Sequence, residues 1–157
     1  MRIRHLILLA LVLAVAGGTG ASTASASGAQ TITVVARQVD VNPGETNPCD
    51  GDVGTITDDE QDVFHVTAQA SGALELSGHG TARVTFVPDG GGVSYTGQET
   101  FNIAEAGSGP TFTTTMTTHL RLHGTDGSFI TIREVAHLTV SAGDVRVAFD
   151  RPTFSCS

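Results

Sequence analysis

Glu99 and Glu134 each stand in a row of residues that should face a core. The first interrupts the alternate series Val93, Tyr95, Gly97, Glu99, Phe101, Ile103, and the second interrupts Ile130, Ile132, Glu134, Ala136, Leu138. A carboxylate buried among such neighbours is costly unless paired or protonated, so the two acids predict a small internal polar cavity. Loop lengths set the expected registers. A four-residue Pro88–Gly91 loop puts Gly80 opposite Glu99, and a 106–109 loop puts Glu99 opposite Met116. Thr118 then faces Glu134. Tyr95 lies on the same side, and Arg37, in line with Val35, Val39 and Val41, is placed as a counter-ion from the first strand. The expected ligand-binding set is therefore Glu99, Glu134, Thr118, Tyr95 and Arg37. Two inward carboxyls also suit the acid–base chemistry of a hydrolase or isomerase, although they name no substrate. A structural ion pair, or one glutamate at a wet rim, accounts for the same pattern without a ligand.

A second acid-rich stretch is "CDGDVGTITDDEQD", Cys49 to Asp62. Read as an EF-hand from Asp50, it has Asp52 at position 3. Gly54 and Thr55 then occupy positions 5 and 6, and Gln61 replaces the bidentate glutamate at 12. It is not an EF-hand. Asp58, Asp59, Glu60 and Asp62 still cluster in what reads as a hairpin turn, which leaves a looser calcium site as an expectation. A solvated acidic turn is the competing account, because calcium needs six or more converging oxygens and acidity alone does not supply them.

Other motifs fail on chemistry. "REVAH" (133–137) has arginine where a zincin needs its first histidine, and it alternates as a strand rather than a helix. "HLRLH" aligns His119, Arg121 and His123 on one side, but interleaved arginines repel a metal cation. A solvated histidine face or a weak anion site fits better. No nucleophile elbow, phosphate loop, dinucleotide fingerprint or redox CxxC occurs, so no catalytic residue is assigned.

The elements that must hold these residues are strands. Apolar residues recur at period two through Thr31–Val41, Val53–Thr57, Phe64–Ala70, Leu74–Phe86, Val93–Ile103, Thr111–His123, Phe129–Val140 and Val145–Phe149. Turn signals separate them, and no stretch carries a helical period. About eight strands in a row predict an antiparallel up-and-down meander barrel, with a β-sandwich as the alternative. Cys49 and Cys156 predict one disulfide joining the two ends of that meander. A three-residue Thr125–Gly127 loop pairs Leu122 with Ile130, Leu120 with Ile132 and His119 with Arg133. His65, His79, His119, His123 and His137 then all fall on the polar side.

Residues 1–26 read as a signal peptide: Arg2 and Arg4, the apolar run His5–Ala16, and Ala24-Ser25-Ala26 fitting the A-x-A cleavage rule. Residues 27–157 form one secreted domain. They hold six arginines, no lysine and all sixteen acids, a net charge of −10. That balance argues against nucleic acid or an anionic membrane as partner. A small molecule or a protein remains as partner, with the chain a monomer or small homo-oligomer, and no cofactor is required beyond the calcium considered above.

Taken together, "VDVNPGETNPCDGDVGTIT", "DVFHVT", "SGHGTARVTFVPD", "YTGQETF" and "REVAHLTVSAGDVRVAFDRPTFSCS" resemble an uncharacterised group of small secreted actinobacterial-type β-proteins with an NPC turn near the start and a cysteine at the end. The resemblance implies export and an all-β fold, and it carries no activity. Three expectations follow: small-ligand binding inside a barrel, a non-catalytic surface or protein-interaction module, or an enzyme using Glu99 and Glu134.

Overall fold

The period-two pattern becomes strands and hairpins throughout the computed structural model, which describes residues 28–142 and 144–157. The stretch assigned to a signal peptide, residues 1–26, lies outside the described residues. The strands are β1 (Gln30–Thr46), β2 (Val53–Ala68), β3 (Leu74–Pro88), β4 (Tyr95–Ser108), β5 (Thr111–Gly124), β6 (Phe129–Ser141) and β7 (Asp144–Cys156). They form one seven-stranded sheet in chain order, each strand antiparallel to the next.

Seven strands replace the expected eight because β2 is continuous. It pairs with β1 from Gln30↔Ala68 to Thr46↔Val53 and with β3 from Gly54↔Pro88 to Ala68↔Leu74. Asp58, Asp59, Glu60 and Asp62 therefore lie in mid-strand, which corrects the expected acidic turn. Two flanking ladders satisfy the backbone on both sides, and that outweighs the turn preference of aspartate.

The Asp126-Gly127 hairpin forms in the expected register: Leu122↔Ile130, Leu120↔Ile132 and His119↔Arg133. Gly127 takes φ +91°, a left-handed conformation that glycine adopts without steric cost. Two other hairpins differ from expectation. Phe86 pairs with Tyr95, so Gly80 faces Phe101 and Ala82 faces Glu99. Ser108 pairs with Thr111 across a two-residue Gly109-Pro110 turn, which sets Glu99 opposite Leu120 and Phe101 opposite Thr118. Both slips are even-numbered, so the side chains of β3, β4 and β5 keep their predicted faces.

Cys49, in the turn after β1, is bonded to Cys156 at the end of β7, with their Cα atoms 5.9 Å apart. In a flat sheet β2 and β7 would be five strand spacings apart, roughly 24 Å at about 4.8 Å each. The sheet is thus curled so that its flanks meet at this end. β1 and β7 do not pair, and the sheet is not closed into a barrel.

The inner face at the disulfide end is filled by Ala82, Val84, Phe86, Tyr95, Leu120, Leu122, Ile130 and Ile132, with Cys49, Ile56 and Val93 packed against them. Further along the same face, Phe64, Phe101 and Met116 are also buried, the two phenylalanine rings 6.5 Å apart.

Candidate functional site

Directly paired residues in antiparallel strands project to the same side, so the ladders sort the charges between the two faces. Asp40, Asp58, Glu60, Asp62, Glu99, Glu105, Glu134 and Asp150 all share the inner face with the core. Arg37, Arg83, Arg121, Arg133 and Arg151 project from the outer face, as do His65, His79, His119, His123 and His137. The remaining described arginine, Arg146, sits at the bulge in β7 and pairs with Asp144 at 3.3 Å. The sheet is polarised: a carboxylate-bearing inner face backs onto a cationic outer one.

One inner row runs Ala36, Asp62, Gly80, Phe101, Thr118, Glu134, Pro152 from β1 to β7. Asp62 is 0 % exposed and Thr118 7 %. Neither oxygen of the Asp62 carboxylate has a hydrogen-bond partner, nor does Thr118 Oγ1. Asp62 lies over the bare backbone of Gly80, where an added Cβ would strike both Asp62 Oδ1 and the Phe101 ring. Gly78 similarly leaves room for the Phe64 ring. Burial, and then the negative charge of Glu60, push the Asp62 carboxyl up to about 7. Two carboxylates offer no donor to each other, so the pair satisfies itself only by sharing a proton. Glu60 accepts a 2.9 Å hydrogen bond from Gln38 Nε2 and is half-buried, which leaves it as the more open member of the pair.

A second acidic pair lies on β6 and β7. Burial, and then the charge of Asp150, raise the Glu134 carboxyl above the usual range. Asp150 stands opposite Ala136, one inner position from Glu134.

The residues expected to line one cavity are partly brought together. Thr118 and Glu134 face each other, as predicted. Glu99 is inward and half-buried, but its neighbours are Ala82 and Leu120. Tyr95 belongs to the apolar core, where its hydroxyl accepts a 3.1 Å hydrogen bond from Ser128 Oγ. Arg37 faces Gln61 on the outer side, so it is not a counter-ion to either glutamate. The apolar residues that aligned it, Val35, Val39 and Val41, are exposed.

Of the four acids considered for calcium, Asp58, Glu60 and Asp62 alternate along the inner face, while Asp59 lies outside opposite Arg83. Asp58 and Asp62, four positions apart, are separated by roughly 13 Å along the strand, too far for all three carboxylates to converge on one ion. Among the described residues no cluster of three or more His, Cys, Asp or Glu is arranged to hold a metal.

Three of the outer histidines are engaged by neighbours. His65 Nδ1 lies 3.0 Å from Thr33 Oγ1, and His137 Nδ1 2.8 Å from Thr115 Oγ1. His137 also stacks on Phe149, and His123 packs on Phe129 with Arg121 above that ring. An open depression of about 420 Å³ lies between His65, Ser77, Ala104 and Thr115 on this face.

Sequence reasoning missed Asp62 and Glu60 as inner-face acids and Phe101 as the ring against which Asp62 is buried. The signal was present: Ile56, Asp58, Glu60, Asp62, Phe64 and Val66 share one parity. Compared with known proteins, the chain matches no family model, and no curated protein or solved structure is significantly similar to it.

Proposed function

We propose that this chain is an exported module that binds a small ligand on the acidic inner face of its curled sheet, with the sheet acting as a barrel around the site. The observation that carries the proposal is Asp62: fully buried, both oxygens unpartnered, and in the same inner row as the unpartnered hydroxyl of Thr118. Buried polar groups left unsatisfied cost about 1–3 kcal/mol each, and a bound molecule that supplies their partners removes that cost. The Cys49–Cys156 bond supports export to an oxidising compartment. Native mass spectrometry of protein recovered from culture medium, with and without chelator, tests the reading. A retained mass supports it, and bare chains that gain no mass from any added metabolite mixture defeat it. Amide exchange along β1 and β7 tests the barrel: closure gives slow exchange in both strands, an open seam fast exchange.

A protein-interaction role is the second reading. It is favoured by the two edge strands, where Val35, Val39 and Val41 on β1 and Val145, Val147 and Phe154 on β7 are all exposed. A concentration-dependent mass in light scattering supports it. Catalysis by Glu99 and Glu134 has less behind it, because the two stand in different inner rows, opposite Leu120 and Thr118 respectively.

A further inference from the structure

Resting on the ligand-binding reading above, we propose that the inner-face ligand is a protonated amine on an apolar body, with its ammonium group held by Glu60 and Asp62 and its apolar part against Phe101.

Charge sorting is the first reason. Every described strand arginine except the bulged Arg146 projects outward, so Glu60 and Asp62 face no guanidinium from the ladders around them. Around Asp62 those neighbours are Ala36 and Gln38 on β1, Gly78, Gly80 and Ala82 on β3, and Phe101 on β4. Gln38 supplies one neutral amide hydrogen, and it goes to Glu60.

Hydrogen-bond inventory is the second reason. Ionised carboxylates only accept, and an ammonium group only donates, with three hydrogens to place. One ammonium between Glu60 and Asp62 supplies the missing donors and cancels the repulsion between the two acids. A charge-assisted bond of this kind is about twice as strong as a neutral one. An anion would add to the repulsion. A neutral alcohol offers a single donor and leaves both charges in place.

Shape is the third. Asp62 sits beside the Phe101 ring over Gly80, with the Phe64 ring over Gly78 next to it, while half-buried Glu60 is the reachable end of the pair. A head group entering past Glu60 brings its hydrocarbon onto Phe101, next to the buried, unpartnered hydroxyl of Thr118. A bare divalent cation fits less well, since no third carboxylate converges with the pair among the described residues.

The probe set is hexylamine, hexanol, hexanoate and calcium chloride, each titrated into the disulfide-bonded mature protein at pH 8 by calorimetry. Hexylamine is expected to bind at least tenfold more tightly than hexanol, with hexanoate and calcium showing no saturable binding. Asp62→Asn and Glu60→Gln should each weaken hexylamine at least tenfold, and Asp59→Asn, on the outer face, should leave it unchanged. Circular dichroism checks that Asp62→Asn and Glu60→Gln are both folded. Hexanol binding as tightly as hexylamine overturns the cation inference while leaving an apolar-ligand site standing. Calcium binding that Asp62→Asn abolishes overturns it in favour of a metal. If no probe binds, the amine inference fails, and a non-amine mass retained in native spectra would show that the broader binding role survives without it.

Discussion

Asp62 and Phe101 meet above Gly80, the carboxylate from β2 and the ring from β4 both occupying the space where any other residue of β3 would carry its Cβ. The acid is buried by this meeting rather than by the core at the disulfide end. Its packing therefore depends on Gly80 and the Phe101 ring, and its charge state on Glu60 as well.

Stability should fall as pH rises through neutrality. The Asp62 carboxyl moves from 3.8 in the unfolded chain to about 7 in the fold. A raised folded value means the folded state holds a proton that the unfolded state has released. Its stabilisation is complete below pH about 4, declines between about 4 and 7, and is gone above. The difference is at most roughly 4 kcal/mol at 1.36 kcal/mol per unit, and Glu134, raised for the same reasons, adds in the same direction. Melting temperatures should therefore be higher at pH 5 than at pH 8, and Asp62→Asn should flatten the curve and raise the pH 8 value. Parallel curves for the two proteins would show that Asp62 is not the titrating group.

Filling the space above Gly80 should be costly in a graded way. In Gly80→Ala the new methyl meets a carboxylate and a ring edge, both side chains that can rotate, so a loss of about 1–3 kcal/mol is expected from overpacking. In Gly97→Ala the methyl is driven into the backbone carbonyl of Arg121, which cannot move without breaking the β4–β5 ladder. Urea unfolding should rank Gly97→Ala as the more damaging of the two. The reverse order would mean that the ladder yields more easily than the Asp62–Phe101 contact.

Much of this architecture could be read from residue alternation. The Asp126-Gly127 hairpin came out in register because a three-residue loop ending in glycine admits essentially one pairing of Leu122 and Leu120 with Ile130 and Ile132. The loop after Phe86 contains Gly90, Gly91 and Gly92, and the turn at Gly109 lies two residues after Gly107, so nothing local fixes where either hairpin closes, and Glu99 slid from Met116 to Leu120. Parity survived because even slips keep the core residues inside. Arg37 was misplaced for a different reason. β1 is an edge strand with valines on both faces, and its apolar pattern does not say which face is inward. Asp62 was hidden by its own neighbourhood: four acids in five positions look like a turn, and only the two ladders on either side show that they are a strand.

The turn that carries Cys49 should matter as much as the disulfide itself. Asn47 is 3 % exposed and organises residues 47–52: its Oδ1 accepts from the Cys49 N–H at 3.0 Å and its Nδ2 donates to Asp50 Oδ2 at 2.8 Å. Its backbone closes the same turn, donating to the Asp52 carbonyl and accepting from the Gly51 N–H. Asn47→Ala leaves the Cys49 amide without its acceptor, a loss of about 1–3 kcal/mol. Removing the bond itself, in Cys49→Ser with Cys156→Ser, frees a loop of 107 residues, worth about 4–5 kcal/mol in the chain-entropy model. If Asn47 acts by holding Cys49 where Cys156 can reach it, the two losses overlap, and the triple variant should be destabilised by less than their sum in urea. Full additivity would show instead that the turn and the bond stabilise the sheet independently. The same variants report on curling. With the bond gone, amides paired near Ile130↔Cys156 should exchange faster, while those of the β3–β4 ladder around Gly80↔Phe101 should not change.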